Sequence, residues 1–558
     1  MHAEAERGEP AALAAGAAPT AVRSWSVRKE RWLAMYSPGG AGRSIVAGAD
    51  DTERAHEWTV STPEALAARS SDGHRAAVIA LAASMLPYLL LLTLFRGGGD
   101  QDAAIHAIFA LFPSPDRILS IWARPLFAAP YVIPAQLGGY LAMRLTTTGI
   151  CALAAWLTYL TARRVGLGRM AWLSIPLVLL QPALLSVGTD AMTEPIFVLV
   201  FSAGLLALAH HRTLTASAIL SFLPLARPEG PFILVVLAVL WLPAVRRDRR
   251  YPGRYLAAIA LLGLGLGVWL AACFVTTGNA AYLLSLPWPA HTVQVPTMFT
   301  RQQLLHYVMR WPHIIGLGLF PLWLMGLQPS WRHPLLRTCV LMTLALLAVH
   351  TVLYSAATMG SLGLDRYLAT LAPAVALVAT AGAGAVAAHI AGRRATAAVI
   401  GALLVLEVVH AIVAFDSNWL DHMPAATLVA AREAEARLDV ADRPLVSADQ
   451  YGYVFLENGW GRDRLPATAH DVTAATIADF PEGTVVLWDD VTGAWWFNLT
   501  IEDFTERGYR LLWERRTMLD SPLSPFYERA RSSSLSWLYY WFGVPSTREM
   551  RQAVLVKE

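Results

Sequence analysis

Apolar residues fill the middle of this 558-residue chain in long runs separated by short polar or charged stretches. A run of roughly 20 such residues, wound as a helix rising 1.5 Å per residue, covers the hydrocarbon core of a bilayer. The pattern predicts spans at 76–95, 139–161, 171–188, 193–209, 213–226, 229–245, 255–275, 305–325, 336–358, 367–389 and 396–414, about eleven in all. The stretch 213–226 is short for a full crossing. Residues 1–76 have no sustained periodicity and no apolar signal-peptide core, so they read as a largely disordered segment. Past 414 charge returns, and Thr484–Trp488 and Tyr509–Trp513 read as strands between turn signals. The expected architecture is a polytopic α-helical membrane protein: an N-terminal segment 1–76, a transmembrane module 77–414, and a small α/β domain over 415–558. Within that last domain, Leu535–Val544 has the aromatic composition of a segment resting at the lipid interface.

Composition removes the alternatives to a membrane protein. Apolar residues make up 55% of the chain, charged residues 15%, and mean hydropathy is +0.44, whereas a soluble domain carries about a quarter charged residues. The net charge of +3 and the scatter of basic residues exclude a nucleic-acid partner. Instead the arginines report topology. Arg54, Arg69 and Arg75 precede the first run, and alternate loops hold Arg163, Arg164 and Arg169; Arg212; Arg246 to Arg254; Arg332 and Arg337; Arg393 and Arg394. By the positive-inside rule these loops and the N-terminus face the cytoplasm, and the C-terminal domain is extracytoplasmic. The three cysteines, Cys151, Cys273 and Cys339, fall inside apolar runs and read as packing residues.

Ionisable groups beside apolar runs are costly, so those gathered on the outer side are the functional candidates. In the first outer loop, Arg96 and three glycines precede Asp100 and Asp102, with His106 one helical turn beyond Asp102. Either aspartate suits a general base toward a hydroxyl; an N-cap is the plain alternative. Asp116, Arg117, Trp122, Arg124 and Pro125 follow in a loop broken by Pro130 and Pro134, either substrate-contacting interfacial helices or simple anchors. Thr189 to Pro195 holds Asp190 and Glu194, where Thr193 or Asp190 reads as a helix cap. Arg227 and Glu229 sit in a break between two runs, and Asp365-Arg366-Tyr367 starts a late span, where an arginine fork suits a phosphate. No Walker loop, HExxH, paired CxxC or GxSxG stands in a suitable context.

The acidic motif Asp100-Gln-Asp, the pair Thr193-Glu194-Pro195, the break Arg227 to Gly230 and Arg366-Tyr-Leu resemble the GT-C superfamily of integral-membrane glycosyltransferases over about residues 77–390. The resemblance implies inverting transfer of a sugar, a hexose such as mannose, from a polyprenyl-phosphate donor to a hydroxyl of a glycolipid, glycan or protein on the outer side. It makes Asp102 or Asp100 the base, assigns Arg366 and Arg227 to the phosphate, and groups His106, Arg124, Glu194, Glu229 and Tyr367 as substrate-binding. The family's acidic motif usually reads Asp-Glu with an aromatic one turn on. In this chain Ala103 follows Asp102 and His106 takes the aromatic place, so no cofactor is assigned and a divalent cation is left open. A secondary transporter or lipid flippase, with His350 and Glu407 as its midspan polar groups, is the rival expectation; a receptor or scaffold presenting the C-terminal domain is a third.

Overall fold

A computed structural model describes residues 63–94, 101–119, 124–247, 252–282, 304–356, 363–390, 392–416, 423–440, 443–447, 476–491, 493–494, 498–519 and 548–558. Helix α1 (Pro63–Leu94) begins ahead of the predicted start at Ala76. Its Val78, Ile79, Leu86, Leu89 and Leu90 are exposed; such a face is an aggregation hazard in water and the lipid-facing side in a bilayer. Helix α2 (Gln101–Leu111) is too short to span and is buried from Ala103 to Ala110. Helix α3 (Pro125–Arg164) breaks at Gly138 and Gly139, which leave helical backbone. Its first piece is the proline-punctuated loop, helical although Pro130 and Pro134 each omit a backbone donor; its second piece is the predicted span 139–161.

Three predicted spans are bent rather than straight. The run 171–188 is two pieces at 62°, broken where Pro182 holds Gln181 extended. Helix α4 (Glu194–Ala209) follows, then the short pieces Thr213–Leu220 and Leu223–Ala226, and α5 (Gly230–Arg247). The run 255–275 bends by 40°. The run 305–325 is an elbow in which α6 (His306–Ile315) meets α7 (Leu319–Arg332) at 105°. Helix α8 (Pro334–Ser355), a 3-10 segment (Asp365–Leu371), α9 (Ala372–His389) and α10 (Arg393–Asp416) complete the helical part. By length and composition, five described helices can cross a bilayer, or up to eight when each bent pair is one span.

At the elbow, the Glu407 carboxylate accepts the N–H groups of Gly318 and Leu319 at 3.0 and 2.9 Å. It thereby caps the N-terminus of α7, whose first donors lack intrahelical partners. The midspan glutamate is thus tied to a helix break.

The span containing α9 is the most buried of the five candidate crossings among the described residues. Alanine and glycine dominate α9, and every residue from Ala372 to Ala383 is buried. Close packing explains the composition: a Cβ on Gly382 would lie 1.8 Å from Leu322 O, and one on Gly326 would lie 1.9 Å from Val378 O. Small residues let helix backbones touch where lipid offers no hydrophobic drive to associate.

The C-terminal part holds helix α11 (Met423–Arg437) and strands β1 (Leu445–Ser447), β2 (Val485–Asp489), β3 (Tyr509–Leu519) and β4 (Arg548–Lys557). They form one sheet of order β1-β2-β4-β3, with β1 parallel to β2 and the remaining pairs antiparallel. Side chains alternate with period two. Val486 and Trp488 pack with Phe504 and Tyr509, while Val485 and Leu487 join the cluster containing Ala431, Ala434 and the helix bundle. Both predicted strands are therefore present. Thr500 of the Asn498-Leu-Thr500 triplet caps the helix Ile501–Thr505 in a reciprocal box with Asp503. The stretch Leu535–Val544 lies outside the described residues.

The α7–α9 contact makes a direct prediction. Gly382→Ala forces backbone apart and should cost about 1–3 kcal/mol by overpacking, read as a lower unfolding temperature in detergent. Gly384→Ala, whose Cβ would meet nothing within 4 Å, should leave it unchanged. Equal unfolding temperatures for the two variants would refute the close-contact account.

Candidate active site

The break after Leu223–Ala226 is where charge first collects. Arg227 is extended, as a residue before proline prefers, and its guanidinium is buried. Its Nη1 lies 2.6 Å from Glu194 Oε1 and donates to Thr193 Oγ1 at 2.9 Å. Its Nε and Nη2 donate to the two Glu229 oxygens, each at 3.0 Å. This fork geometry is the strong form of an arginine–carboxylate pair. Only 8%, 0% and 3% of the Arg227, Glu194 and Glu229 side chains is exposed, so each charge depends on its partners.

This changes the reading of the Thr-Glu-Pro motif. Thr193 precedes α4 but its side chain caps nothing; its hydroxyl serves Arg227 instead. Pro195 does occupy the first turn. Nor is Asp190 a cap. It accepts a short hydrogen bond from the Tyr140 hydroxyl and one from Ala191 N at 2.8 Å. With Arg144 Nε donating to Thr189 O at 2.8 Å, the loop 189–193 is fixed from α3.

That loop supports the second group. Asp102, in the first turn of α2, forms an ion pair with Arg366, and 31% and 13% of the two side chains is exposed. Arg366 Nη1 also approaches Met192 Sδ at 3.9 Å. One turn from Asp102, the buried His106 donates from Nδ1 to Ala191 O at 3.0 Å and rests against Phe127. Burial pushes the Asp102 carboxyl up, but Arg366, His106 and Arg227 outweigh it and hold it below the usual carboxylate range.

Tyr367 joins the two groups. Its ring lies 5.8 Å from the Arg227 guanidinium and 6.0 Å from that of Arg366, within cation–π reach of both. His350 stacks on it at 5.5 Å. Next to Arg366, Asp365 is directed to Arg310 of α6, with His313 Nε2 at 3.4 Å. The 3-10 segment is thus held by α2 through Arg366 and by α6 through Asp365.

The structure therefore brings Asp102, His106, Glu194, Arg227, Glu229, Arg366 and Tyr367 into one connected cluster. Arg124 stands at its edge. It donates to Pro224 O at 3.0 Å and lies 5.4 Å from the Trp269 ring, although its charge still acts on Glu229 and Arg227. Asp100 lies outside the described residues. Sequence reasoning missed Thr193 as an arginine partner, Arg310 as the anchor of Asp365, and His350 as part of this wall. Only His350 left a usable signal, as an ionisable residue in the middle of an apolar run. Among the described residues, no group of three or more His, Cys, Asp or Glu side chains converges as a metal site.

Known proteins share both this fold and part of this sequence. Residues 133–226 match the family model for dolichyl-phosphate-mannose-protein mannosyltransferase. That segment contains Glu194 and ends one residue before Arg227. No curated protein matches the chain in sequence. Among solved structures, the fold resembles ArnT from Cupriavidus metallidurans bound to undecaprenyl phosphate, with TM-score 0.51, 12% identity, and coverage of 86% of this chain and 97% of that one. It likewise resembles ArnT from the same organism in the apo state, with TM-score 0.50, 14% identity, and coverage of 87% and 98%. At such identities the likeness establishes the fold alone. The chain is thus similar to known proteins in two respects, a helical segment that matches the dolichyl-phosphate-mannose-protein mannosyltransferase model and a fold of the ArnT kind.

Proposed function

We propose that the protein moves a sugar, a hexose such as mannose, from a polyprenyl-phosphate donor to an acceptor hydroxyl on the outer side of the membrane, with inversion and with Asp102 as general base. The observation that carries this reading is the ion pair between Asp102 and Arg366, formed across 264 positions of sequence, with Arg227 on the same Tyr367 ring as Arg366. A carboxylate paired with one guanidinium, with a second on the same tyrosine ring, suits an attack by a hydroxyl with departure of a phosphate. The undecaprenyl phosphate in the ArnT structure supports the donor class.

The chemistry follows from where the charges lie. Paired with Arg366, the Asp102 carboxylate is a weak base. The donor phosphate competes for the same guanidinium, and as it takes hold Asp102 is released toward the acceptor hydroxyl and gains proton affinity. The acceptor oxygen then bonds to the anomeric carbon while the bond from that carbon to the phosphate oxygen breaks. The electron pair leaves with the polyprenyl phosphate, and the hydroxyl proton passes to Asp102. Negative charge thus moves from Asp102 to the phosphate, and Arg366 has an anionic partner at both ends of the step. Glu194 and Glu229 hold Arg227 in place, Tyr367 keeps the two guanidiniums on one ring, and His106 orients α2. Arg124 fixes the outer loop beside the cluster. None of these steps calls on a metal.

In this reading the helical part is the catalytic module, the N-terminal segment is cytoplasmic, and the C-terminal sheet region is extracytoplasmic and available to the acceptor.

Three outcomes follow. Asp102→Asn, which keeps the shape and removes the base, should lower the rate of sugar transfer in proteoliposomes by roughly 10²–10⁴-fold; transfer at the native rate would overturn the mechanism. Arg366→Lys keeps the charge but loses the planar fork, and should raise the donor KM together with a fall in kcat; an unchanged donor KM would remove Arg366 from the phosphate. A cysteine in place of Arg516, a residue with 63% of its side chain exposed, should react with a membrane-impermeant maleimide in intact cells, whereas Cys151, Cys273 and Cys339 are buried. Labelling only after permeabilisation would reverse the assigned orientation.

A further inference from the structure

Among the described residues, His350 is the only one with two buried side-chain polar atoms that lack a hydrogen-bond partner, its Nδ1 and Nε2. The residue is 6% exposed and sits in the C-terminal third of α8. Buried polar atoms are paired in the great majority of cases, so an orphaned ring at a site calls for a ligand group or a role. Its surroundings are specific. One face stacks on Tyr367, the ring shared by Arg227 and Arg366, and Tyr307 leans against it at 5.6 Å. Its Nε2 lies 3.9 Å from Glu229 Oε1.

That separation exceeds a hydrogen bond but suits a shared oxygen. A single oxygen at about 2.8 Å from each atom completes a triangle with an angle of roughly 90° at the oxygen, and hydrogen-bond lengths of that order are ordinary. A hydroxyl placed there donates its proton to the Glu229 carboxylate and accepts the N–H of the imidazole. Neutral histidine offers one donor and one acceptor, and a hydroxyl offers the complementary set. A phosphate does not fit, because Glu229 would repel it. The partly exposed ring of Tyr367 gives an apolar surface suited to the C–H face of a sugar, and the buried Tyr307 backs the imidazole from within.

We infer that His350 and Glu229 together recognise one hydroxyl of the transferred sugar, so that His350 is a specificity-determining residue beside the phosphate-binding arginines. This rests on the glycosyl-transfer reading and adds to it the point at which the sugar is read. Glu229 then has two tasks, one oxygen shared between Arg227 and the sugar and the other serving Arg227 alone.

The test uses the full-length protein in proteoliposomes, with the polyprenyl-phosphate hexose that the wild type uses and the set of its monodeoxy analogues. The wild type should reject one analogue by on the order of 10²-fold or more in kcat/KM, since a site built around a hydroxyl leaves its own polar groups unpaired when that hydroxyl is missing. His350→Phe keeps an aromatic ring against Tyr367 without the nitrogens, and should reduce that one discrimination to less than roughly 10-fold while leaving the ratios at the other hydroxyls as they were. His350→Gln, which retains a donor and an acceptor, should recover part of it and serves where the phenylalanine variant folds poorly. Discrimination that stays at its wild-type value in both variants overturns the inference, as does a uniform loss of activity with all ratios intact, which marks a structural role. A change confined to the acceptor KM also overturns it. If the wild type transfers from no polyprenyl-phosphate hexose, the functional reading fails and this inference with it; transfer with unaltered ratios removes this inference alone.

Discussion

A guanidinium buried among apolar helices must be met by carboxylates, because an uncompensated charge there costs several kcal/mol. Arg227 is such a group, and much of the local fold answers its needs. The extended backbone before Pro228 turns it inward, Glu229 takes both arms of its fork, and α4 begins at Glu194 beside it. Thr193 gives up a helix-capping role to bind the remaining arm. Among the described residues of this cluster, Glu194 and Glu229 meet Arg227 and Asp102 meets Arg366, with Arg124 at the edge, so three carboxylates stand with three guanidiniums. A balanced cluster is stable at rest and can still exchange partners, which is what a site handling an anionic donor must do.

The same principle organises the broken helices. Irregular backbone at membrane depth is tolerated only where protein groups satisfy it. At the elbow between α6 and α7, Glu407 takes the unpaired N–H groups. At the 3-10 segment, Asp365 binds Arg310 on one side and Arg366 binds Asp102 on the other. Both of these breaks are pinned by side chains from distant elements. The two midspan ionisable groups that suggested a transporter thus belong to a helix cap and to the wall of the cluster.

Much of this was legible in the sequence, for identifiable reasons. Runs of apolar residues report burial in lipid directly, and the strands around Val485 and Tyr509 carry their own two-residue period, so elements of both kinds appear where expected. The outer-side charges could be found as well, because each stands out against an apolar background. Their partners could not. That Arg366 meets Asp102, or that Asp365 turns away from its neighbour to meet Arg310, depends on tertiary packing across tens to hundreds of residues. The bends at Pro182 and in 305–325 were hidden for a related reason: hydropathy sums over a window and does not register a change of axis. Thr193 misled because a threonine before Glu-Pro has the local signature of a cap, and only a buried arginine 34 positions away overrides it.

The claim on which the rest stands is that an early loop helix and a late span share one ion pair. A double-mutant cycle on Asp102 and Arg366 addresses it without reference to substrate: unfolding in detergent is measured for Asp102→Asn, Arg366→Gln and the double variant. Direct contact predicts non-additivity, with a coupling energy of about 0.5–3 kcal/mol for groups in contact. Strictly additive effects would mean that the two residues do not meet, and would contradict the account.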